Sequence, residues 1–309
     1  MSQLRESLRK WQSPPNPAIN HILAGDSQHE GTAKWLIDND EFRKWMAAGA
    51  LLWIHGIRTF VSFVTCDPGG SQGPHVLQRA PGRASYGPPL LKFVVSGNLL
   101  SSNSSAIIND VMKLCKAGLA SMAYFYFDFR DDDKKYRHNL LSSLLVQLST
   151  CSDTFCDVLT RYYVAHDNGG RQASDKDMTQ CLKEMLTLPE QGPVYLIMDA
   201  LDECPHTSDV PSAREEVLDL VKELVSLQLP GLHICVTSRL EVDISDALGL
   251  LVSQTVSLQD SLGQKEDIAD YVRSIFKDRS RIFMKRCGNE DKEYVIETLL
   301  ERADGMYER

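Results

Sequence analysis

Hydrophobic and polar positions along this chain follow two alternating patterns. Short apolar runs read as buried strands: "ALLWIHG" (50–56), "ASMAYFYFDF" (120–129), "PVYLIMDA" (193–200) and "LHICVTSR" (232–239), with "QTVSL" (254–258) a weaker one. Apolarity that continues through a whole strand is expected when both faces of a parallel sheet are covered. Between these runs the period lengthens to that of a helix. Trp35, Leu36, Phe42 and Trp45 form one stripe with a break near Asp38-Asn39-Asp40, and Ile107, Ile108, Val111, Met112 and Cys115 form another from about Ser104. Further helices are predicted over "HNLLSSLLVQLS" (138–149), 153–164, 175–187, "SAREEVLDLVKELVSL" (212–227), "GQKEDIADYVRSIF" (263–276) and "KEYVIETLLERADGM" (292–306). Strands separated by helices predict an α/β fold, a parallel sheet flanked by helices. Right-handed crossovers would then gather the strand C-termini on one ligand-binding edge.

One stretch belongs to neither pattern. Residues 67–89 hold five Pro and five Gly in 23 positions, with no apolar period. Such a segment buries too little to offset its ordering entropy, so an irregular, disordered insertion is expected over 57–103. The chain then divides into a helical lead (1–50), the α/β domain (51–278) and the start of a helical C-terminal region (279–309).

Composition narrows the classes. Hydrophobic residues at 43% and charged residues at 24% of 309 positions are ordinary for a soluble globular chain. A net charge of −9 argues against a general nucleic-acid binder, because phosphate repulsion goes uncompensated. No run approaches the roughly 18 apolar residues of a membrane span, and "MSQLRESLRKWQSPP" lacks the apolar core of a secretory signal, so a cytoplasmic protein is expected. Eight cysteines without CxxC spacing read as reduced thiols rather than metal ligands.

The chemistry concentrates in "VYLIMDALDEC" (194–204). Five apolar residues deliver Asp199 to the C-terminal tip of a buried strand, where an unpaired charge is costly. Two readings follow: a carboxylate that holds Mg²⁺, with Asp202 and Glu203 placed to polarise a water, or a loop carboxylate cluster that caps the next helix. "LHICVTSR" ends a second buried strand in Thr237-Ser238-Arg239, and Arg239 is either a phosphate sensor or a solvated strand cap. "DFRDDDKK" (128–135) reads as a solvated strand-to-helix loop, and no GxSxG elbow supports a hydrolase triad.

Taken together, "LLWIHG", "GLASMAYFYFDFRDDDK", "LLSSLLVQLS", "YLIMDALDEC", "LHICVTSRLEVDI" and "DIADYVRSI" resemble the fungal NACHT-domain proteins, STAND-type P-loop NTPases that overlap with nephrocystin-like N-terminal domains. The resemblance spans 30–56 and about 104–306. It implies a nucleotide-controlled signalling switch of an NLR-like protein that binds ATP or GTP with Mg²⁺ and assembles as a homo- or hetero-oligomer, with no nucleic acid or membrane partner. It also implies roles: Asp199 as the metal carboxylate, Asp202 and Glu203 as the catalytic acids, and Arg239 as the γ-phosphate sensor. Arg130 resembles a recurrent family position to which the sequence assigns no ligand.

The chain departs from the family at the phosphate loop. The family pattern is approximately hhhhG-x-x-G-x-G-K-[ST]. Gly56 fits its first glycine, but Ile57-Arg58-Thr59-Phe60 follows instead of the turn and the Lys-Ser/Thr pair. Gly97 is the next candidate, yet Asn98-Leu99 stands where lysine and serine are needed to neutralise phosphate and ligate Mg²⁺. Two accounts fit the break: a retained intron or frame error, or a degenerate NTPase. Hydrolysis is therefore left open, and a nucleotide-free scaffold is the alternative to the switch.

Overall fold

Each predicted strand sends alternate side chains to opposite faces, and both faces are apolar, so each face needs its own cover. The computed structural model describes residues 2–26, 33–56, 63–65, 75–77, 99–189, 191–207, 211–258, 261, 263, 266 and 267. Gly97, most of the 57–98 stretch, the helix expected over 292–306 and nearly all of that over 263–276 lie outside these residues, as does the C-terminal region 279–309.

The chain begins with α1 (Ser2–Gln12), α2 (Ala18–Asp26), α3 (Lys34–Ile37) and α4 (Asp40–Ala48), then enters β1 (Ala50–Gly56). Two short strands, β2 (Phe63–Thr65) and β3 (His75–Leu77), pair antiparallel inside the stretch expected to be irregular. Next come α5 (Leu99–Lys116), β4 (Ser121–Tyr126), α6 (Arg137–Cys151), α7 (Asp153–Ala165), α8 (Asp175–Leu186) and β5 (Val194–Asp199). The remaining elements are α9 (Ala213–Val225), β6 (Leu232–Arg239), α10 (Val242–Leu248) and β7 (Gln254–Ser257). α5 thus starts before Ser104, where the apolar stripe becomes visible, because "LLSSN" supplies a first turn without a periodic signal.

The main sheet is parallel, with strand order β4-β5-β6-β1-β7. On one face Leu51, Trp53, Phe125, Leu196, Met198, Ile234 and Val236 pack with residues of α1 and α6 to α10. On the other, Leu52, Ile54, Tyr126, Tyr195, Ile197 and Cys235 pack with residues of α3, α4 and α5. The expected α/β sheet flanked by helices is therefore present. Local caps set several helix starts. Asn39 accepts from the N–H groups of Glu41 and Phe42 at 2.8 and 3.4 Å, which ends α3 and begins α4 at the predicted break. Ser174 with Asp177 and Ser212 with Glu215 form capping boxes on α8 and α9.

Topology singles out one edge of the sheet. From β4 the chain steps to β5, β6 and β7 in one direction along the sheet, using helices of the first face. From β1 it steps the other way to β4, with α5 on the opposite face. The helices that connect β1 to β4 and β6 to β7 therefore pack on opposite faces, the strand-order reversal beside which open α/β sheets generally bind ligands, at the strand carboxyl ends. Gly56 and Arg239 lie opposite each other in register there.

Candidate functional site

The carboxyl edge of the sheet brings Asp199, Asp202 and Arg239 together. Asp199 ends β5 and is 1% exposed. Its Oδ1 accepts from the hydroxyl of Thr237 on β6 at 2.6 Å and from the hydroxyl of Ser104 on α5. Two elements that enter the edge from different sides thus converge on one carboxylate. Burial makes such contacts necessary, since an ionised group without donors is expensive in the interior.

The chain turns sharply after Asp199. Ala200 adopts a left-handed conformation (φ 59°, ψ 46°), and its N–H donates to Thr237 Oγ1 at 3.0 Å. A left-handed alanine costs about 1–2 kcal/mol, which this buried hydrogen bond helps offset. The turn leads into a single 3-10 turn, Leu201–Glu203, that swings two acids back over the strand ends.

These two acids have different surroundings. Asp202 is buried and takes both the backbone N–H and the Nε of Arg239, the former at 2.9 Å. The Arg214 guanidinium braces the same turn: it donates to the carbonyls of Asp202 and Cys204 at 2.7 and 3.0 Å and pairs with Asp243 at 3.1 Å. Glu203 is half-buried and accepts the Phe129 N–H at 3.3 Å. Burial, and then the nearby charges of Asp128, Asp202 and Asp199, push its pKa above the usual carboxylate range.

A third group comes from the end of β4. Asp128 is gripped by Arg130 through Nε, Nη2 and the backbone N–H, each at 2.9 Å. The Arg130 contact holds the Asp128 carboxyl below its ordinary value. α2 approaches the edge from the same side. Its Asn20 accepts from Lys134 Nζ at 2.8 Å, and His21 Nδ1 lies 3.1 Å from the Tyr126 hydroxyl and 3.4 Å from that of Ser105. Burial and the Asp199 charge raise the Tyr126 phenol, so the phenol feels the central carboxylate.

The structure thus brings Asp199, Asp202, Glu203, Arg239 and Gly56 to one edge, while Gly97 lies outside the described residues. Gly56 is in contact with Leu258, whose side chain would lie 3.2 Å from an added Cβ. Sequence reading missed the hydroxyl partners of Asp199. Thr237 belonged to the quoted strand end and Ser104 to the quoted helix, but hydroxyl-to-carboxylate pairing across 38 and 95 residues leaves no local signal. The Asp128–Arg130 grip was equally hidden in a run that reads as a solvated loop.

The donor set can be tested against the Mg²⁺–nucleotide that the resemblance implies. Asp199, Ser104 and Thr237 are hard oxygen donors, which suit Mg²⁺; it takes one or two carboxylates and fills its shell with water and phosphate oxygens. Among the described residues no three His, Cys, Asp or Glu side chains group as a metal site. No helix among the described residues is long and apolar enough to cross a membrane.

No curated protein matches the chain. Among solved structures, a chain of Drosophila ORC bound to AT-rich DNA and Cdc6 is similar over 98% of this chain and 42% of its own length, at 10% identity and a TM-score of 0.36. A chain of Drosophila ORC bound to poly(dA/dT) DNA and Cdc6 is similar over 97% and 42%, at 11% identity and a TM-score of 0.35. This chain spans less than half the length of either. Residues 101–239, which hold Ser104, Asp128, Asp199, Asp202, Glu203, Thr237 and Arg239, match the family described as Nephrocystin 3, N-terminal.

Proposed function

We propose that this chain is a nucleotide-responsive switch domain of the NACHT type, which binds ATP or GTP with Mg²⁺ at the carboxyl edge around Asp199. The observation that carries this reading is the buried Asp199 at a strand tip, held by hydroxyls from α5 and β6 at the carboxyl edge where β1 and β6 end side by side. Asp199 would hold the metal, with Ser104 and Thr237 as its oxygen neighbours. When bound, Mg²⁺ would neutralise phosphate charge and tie the ligand to the strand ends.

The two acids after the turn divide the remaining work. Glu203, with its raised pKa and one backbone donor among the described residues, is the residue suited to hold a water or a proton near a phosphate. Asp202 acts as a positioning residue: its grip on Arg239 fixes the cation that would sense the terminal phosphate. Gly56, and Gly97 further on, are the residues proposed to lie nearest the phosphates. The output of such a switch is a signalling assembly built through the same domain, as an oligomer of like or unlike chains.

A second reading, a nucleotide-free scaffold, is favoured by a separate observation. The Lys-Ser/Thr pair is absent after Gly56, and both Asp199 and Arg239 already have internal partners. Titration of the whole chain with a fluorescent ATP analogue separates the two. The switch predicts Mg²⁺-dependent binding that Asp199→Ala abolishes; no binding at millimolar nucleotide supports the scaffold.

A further inference from the structure

The carboxyl edge is acidic: Asp128, Asp199, Asp202 and Glu203 lie together, as their mutual effect on Glu203 shows. A polyphosphate approaching four carboxylates is repelled unless cations are already in place. Most nearby cations already have internal partners, and Arg239 can meet a phosphate only with the guanidinium nitrogens that Asp202 leaves open. Arg239 is engaged by Asp202, Arg214 by Asp243 and two carbonyls, and Lys134 by Asp131 and Asn20 with only 7% of its side chain exposed.

Arg130 differs. Its Nε and Nη2 form a two-pronged pair with Asp128, which fixes the plane of the guanidinium. Its Nη1 has no hydrogen-bond partner among the described residues, and 71% of the side chain is exposed beside the Phe129 ring. The next residue back ties this cation to the site, because the Phe129 N–H donates to Glu203. Asp128, Phe129 and Arg130 therefore form one short unit that joins an oriented, open cation to the acid proposed to hold water.

We infer that Arg130, oriented by Asp128, binds the terminal phosphate of a nucleoside triphosphate at this edge. The inference rests on the nucleotide reading above and adds the residue that supplies positive charge where the chain lacks the loop lysine. Position supports the terminal phosphate: the Phe129 N–H joins this unit to Glu203, the acid proposed to hold a water beside that phosphate. Arg130 binds; Asp128 acts through Arg130 and is a positioning residue.

The test uses the full chain with Mg²⁺ and a fluorescent ATP analogue, displaced in turn by ATP and by ADP. Arg130→Ala is expected to weaken ATP at least tenfold and ADP less than twofold, so the triphosphate-to-diphosphate ratio collapses. Arg130→Lys is expected to restore part of that ratio, and Asp128→Asn to lower it to an intermediate value. Arg171→Ala, an exposed arginine paired with Asp167 elsewhere, serves as the control for general charge loss. Arg130→Gln repeats the measurement if Arg130→Ala melts early. Unchanged affinities in Arg130→Ala and Arg130→Gln, or equal losses for ATP and ADP, overturn the inference and leave the nucleotide site standing. A wild-type chain that binds neither nucleotide overturns both.

Discussion

Glu203 carries the clearest titration signature of the edge. Its pKa is raised by burial and by three neighbouring carboxylates, against one opposing backbone N–H. The folded chain therefore holds this proton more tightly than the unfolded chain does. The stability linked to it is complete below the ordinary glutamate value of 4.5 and falls as the pH rises through the raised value. Glu203→Gln is expected to be more stable than the wild type at neutral pH and to match it below that ordinary value. Urea unfolding at the two pH values measures this; a difference that does not change with pH would contradict the assignment. At this scale the sequence located the acids but not their partners. Asp199 and Glu203 stood out because polar residues follow an apolar run, whereas Ser104, Thr237 and Asp128 act through contacts between distant segments. Which acid is open and which is locked depends on Arg239 folding back over Asp202, and no spacing rule reveals that.

Elements were more legible than contacts. The four main strands and the helices between them follow from apolar run length and period, because a two-sided parallel sheet requires continuous apolarity. What the pattern could not show is how the sheet edge is protected. β4 is an edge strand, and exposed edges invite pairing with other chains. Gln147 of α6 closes it like a neighbouring strand: its Oε1 accepts the Tyr124 N–H at 3.1 Å, and its Nε2 donates to the Tyr124 carbonyl at 2.7 Å. Ser143 helps hold that amide, and the Cys151 thiol covers the Met122 carbonyl at 3.6 Å. Gln147→Ala removes both backbone contacts, for an expected loss of about 1–2 kcal/mol in urea unfolding. Sedimentation at rising concentration is expected to show association through the freed edge. Unchanged stability together with a monodisperse profile would show that the amide does not guard the strand.

The whole molecule joins two apolar cores through one sheet, and the N-terminal lead takes part in both. Leu8 and Trp11 of α1 are buried on one face, Leu36, Phe42 and Trp45 of α3 and α4 on the other, with α2 set beside the carboxyl edge between them. The Trp11 indole also donates to the Arg171 carbonyl at 2.8 Å, which ties α1 to the loop before α8. Composition and period conveyed the α/β class, but they gave no hint that the first residues would complete the core, since α1 shows few apolar positions. We propose that Asp199, at the tip of β5 in this same sheet, holds a metal-bound nucleotide. Electron paramagnetic resonance with Mn²⁺ in place of Mg²⁺ tests it most directly, because bound and free Mn²⁺ give different spectra. The prediction is one Mn²⁺ bound per chain only when nucleotide is present, and none in Asp199→Asn. Mn²⁺ binding that is independent of nucleotide, or that survives Asp199→Asn, would contradict it.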